Sequence, residues 1–493
     1  MDSWSAQIQT WNKMIRDGSG NDVAEALDSI PRKGLKPAHL AQIGNLAWRV
    51  GRPSRGAFLL SAAFRRQRQL NNPDCPELIC EYAQCLTDLG AIPESRLYLQ
   101  SVSKSIAKAK FYLASTFIKE WNYQDAIPLL EDYLQNLTDP YQRTVVNVNL
   151  ASALVSVGQA GDAERIIRPQ INRLKKEGHK LLTGNALEIL GQVRFYQGEY
   201  QDALRLLTES EELLKDSQNA GWLFCKKWQF IVNLALRKAQ GKLDSAALVD
   251  EMGLLRRLCV QRQSWESIRE LDFFTGLFTD NEEQIARVYY GTPFLHYRLR
   301  MVRHLPPGWS PPEDFVRSSE EGRIVQLSEL MGPQEAALTP LMKNLIMTLL
   351  SDYYSPFRPG SLFGKVFPDE HYNVEGSPHR IFRTVLSCRQ ALEQKGIVSR
   401  IENTKYGYRF RIDKNEGWII PRFLIESQSW DGVALAQLYL RQVFGQNSFS
   451  SAQFAKTFHV SQRSANRMIK SIGQEGTLQE IGQGRAKRFR LAS

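Results

Sequence analysis

Arg380 to Phe410 reads RIFRTVLSCRQALEQKG, then IVSRI, then ENTKYGYRF. The first part places Ile381, Val385, Leu386, Cys388 and Leu392 at helical spacing, with Arg380, Arg383, Arg389 and Lys395 around them. Gly396 follows where a helix C-cap takes a residue that tolerates positive φ. Two β-rich runs come next, Ile397 to Ile401 and Tyr406 to Ile412, joined by the polar turn Glu402-Asn403-Thr404. A basic helix of this kind fits the major groove of DNA, and a basic hairpin beside it reaches phosphates. The base-side candidates are His379, Arg380, Arg383, Thr384 and Ser387, and the hairpin candidates are Lys405 and Arg409.

Upstream lie Leu338-Thr339-Pro340, an apolar helix to Leu350, and the short apolar run Leu362 to Val366. Together with Cys388-Arg389-Gln390-Ala391-Leu392 and Gly407-Tyr408-Arg409-Phe410, this segment resembles the effector domain of OmpR/PhoB-type regulators. In that family the recognition helix closes on a pattern like LRxxL and the wing ends on GYRF. The resemblance spans roughly residues 320 to 412 and implies a winged helix-turn-helix that binds DNA. Only Arg323 to Leu327 reads as a strand of the amino-terminal sheet that the family carries.

A second unit of this kind closes the chain. Val433 to Phe444 is an amphipathic helix, Ser450-Ser451 caps a short helix to Phe458, and Ser461 caps another from Gln462 to Glu475. A hairpin follows, Gln479-Glu480-Ile481 to Phe489-Arg490-Leu491, with its tip at Gly482-Gln483-Gly484-Arg485. The V-S-x-R-x-A-x-R helix start and G-x-G-R wing resemble the winged helix-turn-helix of many bacterial regulators, over roughly residues 430 to 491. Gln462, Arg463, Asn466 and Arg467 occupy the first turns of the second helix, where Arg pairs with guanine and Asn or Gln with adenine. Lys470, Arg485, Lys487 and Arg488 suit phosphates.

The first three hundred residues are helical by pattern and repeat. Leu190-Gly191-Gln192 and Tyr196-Gln197-Gly198-Glu199-Tyr200-Gln201-Asp202-Ala203 resemble the tetratricopeptide (TPR) repeat. Small residues recur at Gly56, Ser95, Ala126, Ala163, Ala203 and Ala246, in steps of 39, 31, 37, 40 and 43. With end hairpins around Ala26 and Ala286, that makes about eight helix hairpins stacked as a solenoid. Its inner face is expected to present Asn185, Glu188, Gln192, Phe195, Tyr196 and Trp228 to a protein or peptide partner, although the three aromatics suit packing between repeats equally well. Lys108, Lys119 and Lys238 would extend that face.

Composition narrows the function. From Arg358 to Ile412 there are ten Lys/Arg against five Asp/Glu, and from Gly445 to Ser493 eight against two; these segments hold the whole formal charge of +11. Clustered positive charge is the footprint of a polyanion partner. No run of about 18 apolar residues is present, so no membrane span is expected. The start MDSWSAQIQTW lacks a secretory pattern, and six scattered cysteines favour a reducing cytoplasm. Cys75, Cys80 and Cys85 recur every fifth residue, a spacing that reads as buried core rather than a metal site. Gly360 to Val366 falls one residue short of a phosphate-binding loop and lacks its Ser/Thr. No catalytic motif, receiver domain, cofactor or metal is expected.

The expected fold is therefore mostly α: a solenoid over residues 1–302, a Pro/Gly-broken linker over 303–337, a first winged helix over 338–412 and a second over 413–493. The reading is a bacterial-type, non-enzymatic cytoplasmic transcription regulator that binds duplex DNA, with a solenoid sensing a protein or peptide. Two heads on one chain make a homodimer compatible but not required. The rival is a non-catalytic interaction scaffold whose winged helices assemble a complex. An RNA regulator would need stacking aromatics on its basic face, and those are sparse.

Overall fold

The structure is a computed structural model. It describes residues 3–16, 20–30, 35–69, 76–215, 221–243, 245–318, 323–326, 338–368, 370–422, 444, 447–457, 462–474, 478–482 and 487–491. The expected helix over 433–444, the helix end at Phe458, the turn at His459-Val460, the cap at Ser461 and the wing tip with Arg485 lie outside this set, apart from Phe444 and Gly482.

Eight helix pairs run in order: α1 (Ser3–Arg16) with α2 (Gly20–Asp28), α3 (Pro37–Arg49) with α4 (Pro53–Gln69), and α5 (Pro76–Leu89) with α6 (Ile92–Val102). Then come α7 (Ala107–Ile118) with α8 (Tyr123–Gln135), α9 (Pro140–Ser156) with α10 (Ala160–Glu177), and α11 (Lys180–Tyr196) with α12 (Tyr200–Leu214). The last pairs are α13 (Gly221–Ala239) with α14 (Ser245–Gln261) and α15 (Trp265–Phe278) with α16 (Glu282–Tyr290). Tight reversals between partners need a left-handed residue after the first helix. Gly51, Gly90, Gly158, Gly198 and Gly241 supply it, and Trp121 and Asp280 adopt the same conformation where glycine is lacking.

The recurring small residues do the steric work the repeat pattern implies. Ser95, Ala126, Ala163 and Ala203 are fully buried. A Cβ on Gly56 would stand 2.8 Å from the Gly44 carbonyl oxygen, and one on Gly191 2.8 Å from Leu207 Cγ. The side chain of Ala246 lies outside the described residues. No described helix is long and apolar enough to cross a membrane.

A further helix, α17 (Leu295–His304), leaves the last pair and lies back across the array. Beyond it the chain departs from the expected linker. Residues 303–337 contribute two strands, β1 (Asp314–Ser318) and β2 (Arg323–Gln326). After them come α18 (Pro340–Leu350), α19 (Pro359–Val366), α20 (Ser377–Gln394), β3 (Arg400–Thr404), β4 (Gly407–Arg411) and β5 (Glu416–Pro421). β5 is the central strand of a three-stranded sheet, antiparallel to β1 and parallel to β2. The expected break at 412 therefore cuts off a strand that belongs with residues before it. Trp418, fully buried, donates its indole N–H to Ser399 Oγ at 3.0 Å, and Glu416 accepts from the Val398 and Ser399 amides.

This unit packs against the solenoid at two places. At one end Gly360 lies against the turn between α5 and α6, where an added Cβ would stand 2.5 Å from the Leu89 carbonyl oxygen. Nearby, Glu94 accepts from the Tyr372 amide at 2.7 Å, and Arg358 donates to the Asp88 carbonyl. At the other end the loop after α18 meets α15 and α16: the Tyr353 amide donates to the Gly291 carbonyl, and Tyr354 Oη donates to Asp272. One apolar core runs from Ile8 in α1 to Ile420 in β5.

The last described unit has its own core of Phe449, Phe454, Ala465, Ile469, Ile472, Leu478, Phe489 and Leu491. It comprises α21 (Ser451–Thr457), α22 (Gln462–Gln474), β6 (Leu478–Ile481) and β7 (Arg488–Leu491). Ser450 Oγ accepts from the Gln453 amide while Gln453 Oε1 accepts from the Ser450 amide, a reciprocal cap that starts α21.

Candidate nucleic-acid interface and the covered solenoid face

α20 is held by Ile381, Val385, Cys388 and Leu392, all buried, which turns the opposite face outward. His379, Arg383 and Ser387 are exposed on it. Thr384 is not: it is buried and donates its hydroxyl to the Arg380 carbonyl at 2.9 Å, because its position in the helical turn follows the core stripe. Arg380 is half-exposed, paired with Glu370 through both terminal nitrogens and stacked over Phe367 at 4.2 Å. Its reach toward a ligand requires leaving that pair. Gly396 takes φ 64° after α20, as its place in the sequence demands.

The hairpin turn falls at Lys405-Tyr406 rather than at Glu402 to Thr404, since β3 runs through Thr404. Register sets Glu402 directly across from Arg409. Glu402 binds both Arg409 (2.9 Å) and Arg411 (3.0 Å). Desolvation opposes its charge, but the hydrogen bonds from these arginines hold its carboxyl below the usual carboxylate range. The sequence carries this signal only as two separate alternations, Arg400 with Glu402 and Arg409 with Arg411, which the strand register brings together. Lys405 is exposed, 4.8 Å over the Tyr406 ring. A single pair of backbone hydrogen bonds ties β4 to the segment before α19: Phe357 N–H to Tyr408 O at 2.7 Å and the reverse at 2.9 Å. Gly407 permits it, because a Cβ there would meet the Phe357 oxygen at 2.2 Å.

The closing unit repeats that device. Phe449, just before α21, exchanges two 2.8 Å backbone bonds with Phe489 of β7. On α22, Gln462, Arg463, Asn466 and Lys470 are exposed, with Gln462 Nε2 donating to Asn466 Oδ1 at 3.2 Å and to Ser451 Oγ at 2.8 Å. The Arg467 side chain lies outside the described residues. Lys487 pairs with Glu480 at 2.7 Å. Arg488 donates to the Ser448 hydroxyl and carbonyl and to Gln453, so it braces the hairpin as well as facing solvent.

The expected partner face of the solenoid is covered. Trp228 and Phe195 are buried and pack on each other and on Phe274, so they are core. Glu188 is buried as well; burial pushes its carboxyl up to about 7 against the pull of Lys227 and a hydrogen bond from Gln192. Tyr196 is partly buried under α17: Arg300 donates to its hydroxyl at 2.8 Å and His304 stacks on its ring. Asn185 and Gln192 are partly exposed. Lys108, Lys119 and Lys238 are each paired, with Glu81, Asp88 and Asp280.

α17 accounts for this. Its Tyr297 meets Trp121 at 4.6 Å, Arg303 reaches the Val157 carbonyl, and Arg300 joins Glu270, which Lys227 also binds. The chain thus fills its own groove with a basic helix, in which Arg300 is matched by the buried Glu270 and Arg298 and Arg303 donate to backbone carbonyls. LHYRLRMVRH carries no repeat signature, so nothing local in the sequence marks this return.

No family model matches the chain, and no curated protein matches it. Among solved structures, TPR-like repeats of a putative kinesin light chain from Podosopora anserina match at 17% identity, covering 37% of this chain and 95% of that one, with a TM-score of 0.32. A Rap protein complexed with competence and sporulation factor matches at 10% identity over 62% of this chain and 89% of its own, TM-score 0.44. A human IFIT1 dimer with m7Gppp-AAAA matches at 10% over 94% and 88%, TM-score 0.33. At these TM-scores none of the three likenesses carries an argument about ligands. Among the described residues no group of His, Cys, Asp and Glu could hold a metal ion, and Cys80, Cys85, Cys225, Cys259 and Cys388 are buried free thiols.

Proposed function

We propose that this chain is a DNA-binding transcription regulator, with tandem winged helices on duplex DNA and a helical-repeat solenoid that senses a protein or peptide. The observation that supports it best is the repeated backbone device. In both carboxy-terminal units a bridge before a helix pair pins the outer strand of a hairpin, at Phe357 with Tyr408 and at Phe449 with Phe489. Each unit then presents a helix with exposed Arg, Ser, Asn or Gln beside a basic hairpin. That is the layout in which a helix enters a groove and a hairpin reaches the backbone. Fluorescence anisotropy of the full chain on random duplex DNA tests it. Binding should fall steeply as salt rises, with phosphate contacts setting the slope. Binding that ignores salt would overturn it.

One observation favours the second reading, a scaffold. Phe382 and Leu386 on the outer face of α20 are 51% and 45% exposed, next to Arg383 and Ser387. Such a pair suits a protein surface as well as thymine methyl groups. Replacing both with Ser should weaken DNA binding if α20 reads DNA, and leave it unchanged if α20 docks a protein.

A further inference from the structure

Between α16 and the hairpin lies a cavity of about 330 Å3, walled by Arg287, Phe315, Arg317, Tyr353, Arg409 and Arg411. Two carboxylates border it. Asp352 is engaged by Arg269, and Glu283 is exposed on the first turn of α16. Arg409 and Arg411 are held by Glu402. That leaves Arg287 and Arg317, neither in an ion pair among the described residues.

Arg317 is the unusual one. Its guanidinium stacks on the Tyr353 ring at 3.8 Å, and its Nη1 is shut away from solvent with no hydrogen-bond partner among the described residues. The Tyr353 hydroxyl is in the same condition. Burial, with Arg287 adding to it, pulls Arg317 below the usual guanidinium range, while burial pushes Tyr353 up to about 12 and so keeps its O–H a donor. Buried donors left unmatched are costly, and both belong to side chains that line one cavity.

We propose that this cavity binds a small phosphate monoester, with Arg317 and Arg287 clamping the phosphoryl oxygens and Tyr353 donating its hydroxyl. A guanidinium fork fits two oxygens of one phosphate, and two unmatched guanidiniums match a dianion. The volume stands at the low end for small-ligand sites, enough for a phosphate with a modest organic group against Phe315. The ligand would join α16 of the solenoid to β1 and β4.

Calorimetry on the full chain tests this, with inorganic phosphate and ribose 5-phosphate as probes and ribose as the uncharged control. Both phosphates should bind saturably at a single site and ribose should not. Arg317→Met and Arg287→Gln should each weaken binding at least about tenfold, the loss expected for one charge-assisted hydrogen bond. Arg65→Gln, far from the cavity, should leave it unchanged. Arg287 is exposed, so its variant carries the test should Arg317→Met fail to fold. Absence of saturable phosphate binding, or binding indifferent to Arg287→Gln, overturns the proposal. Excess duplex DNA should not displace ribose 5-phosphate; displacement would assign the cavity to a DNA backbone phosphate and overturn it too.

Discussion

Arg269 of α15 holds Asp352, which follows α18, with Nη2 3.1 Å from both carboxylate oxygens. Both side chains are almost wholly buried, at 0% and 4% exposure. The remaining guanidinium donors go to the Gly291 carbonyl, Thr292 and Glu266, and Asp352 also accepts from the Tyr354 and Ser355 amides. Removing one partner strands a buried charge. Asp352→Leu should therefore cost about 3–5 kcal/mol in urea unfolding, and adding Arg269→Met should recover much of that loss. Strict additivity of the two single variants would show that the pair is not coupled.

Acid and alkali should act on opposite sides of the covered groove. Burial, with Arg300 and Arg303 beside it, pushes His304 from 6.5 down to about 4. The unfolded chain then binds a proton that the folded chain refuses, so stability present above about 6.5 drains as pH falls toward 4. Glu188, raised from 4.5 to about 7, works in reverse: its contribution is present below 4.5 and lost as pH rises through 7. His304→Gln should flatten the acid fall in Tm, and Glu188→Gln should raise Tm above neutrality while changing little in acid.

Trp228→Ala should act on the fold rather than on a surface contact. A cavity of that size in a core costs about 3–5 kcal/mol. Chemical denaturation that finds the variant as stable as the parent would contradict the packing described for Trp228.

On DNA, Arg463→Ala should cost about 1–3 kcal/mol on a preferred site and relax its sequence. Lys487→Ala should weaken all duplexes alike and lower the salt slope by about 1. Arg488→Ala should do the same and also loosen the hairpin, visible as faster amide exchange at Phe449 and Phe489. Salt titrations of the three variants separate these effects.

A chain ending at Ile412 should not behave like one ending at Arg422. The shorter one lacks β5, leaving β1 and β2 without a partner and Ser399 without Trp418. Circular dichroism and thermal melting should show the longer chain folding cooperatively and the shorter one melting early. Equal melting would mean that β5 is dispensable.

What the sequence disclosed follows from distance along the chain. The apolar spacing of Ile381, Val385, Cys388 and Leu392, the cap at Gly396 and the serine cap at Ser450 are local, so these helices were legible, although α20 starts earlier than Arg380, at Ser377. Most hairpin turns of the solenoid were legible for the same reason, since Gly51, Gly90, Gly158, Gly198 and Gly241 mark the reversal, whereas Trp121 and Asp280 give no such sign. Non-local partners were not. Asp314 to Ser318 is a five-residue strand after a proline pair, and its partner β5 lies beyond α18 to α20. Arg300 reads as a surface cation until Glu270 and Tyr196 meet it. Tyr196, Phe195 and Trp228 read equally as a lining or a core, and only the return of α17 decides between them.

The placement of β5 also imposes an order during synthesis. Chains emerge amino-terminus first and fold as units form. β1 and β2 leave the ribosome with no strand between them, and their middle member arrives only after the three helices and the hairpin have been made. By then α15 and α16 are already available, with Arg269 and the Gly291 carbonyl exposed to receive Asp352 and Tyr353. The solenoid is thus made in time to template the nascent chain, and the unit built around β5 is the one to close last, when Trp418 seals it.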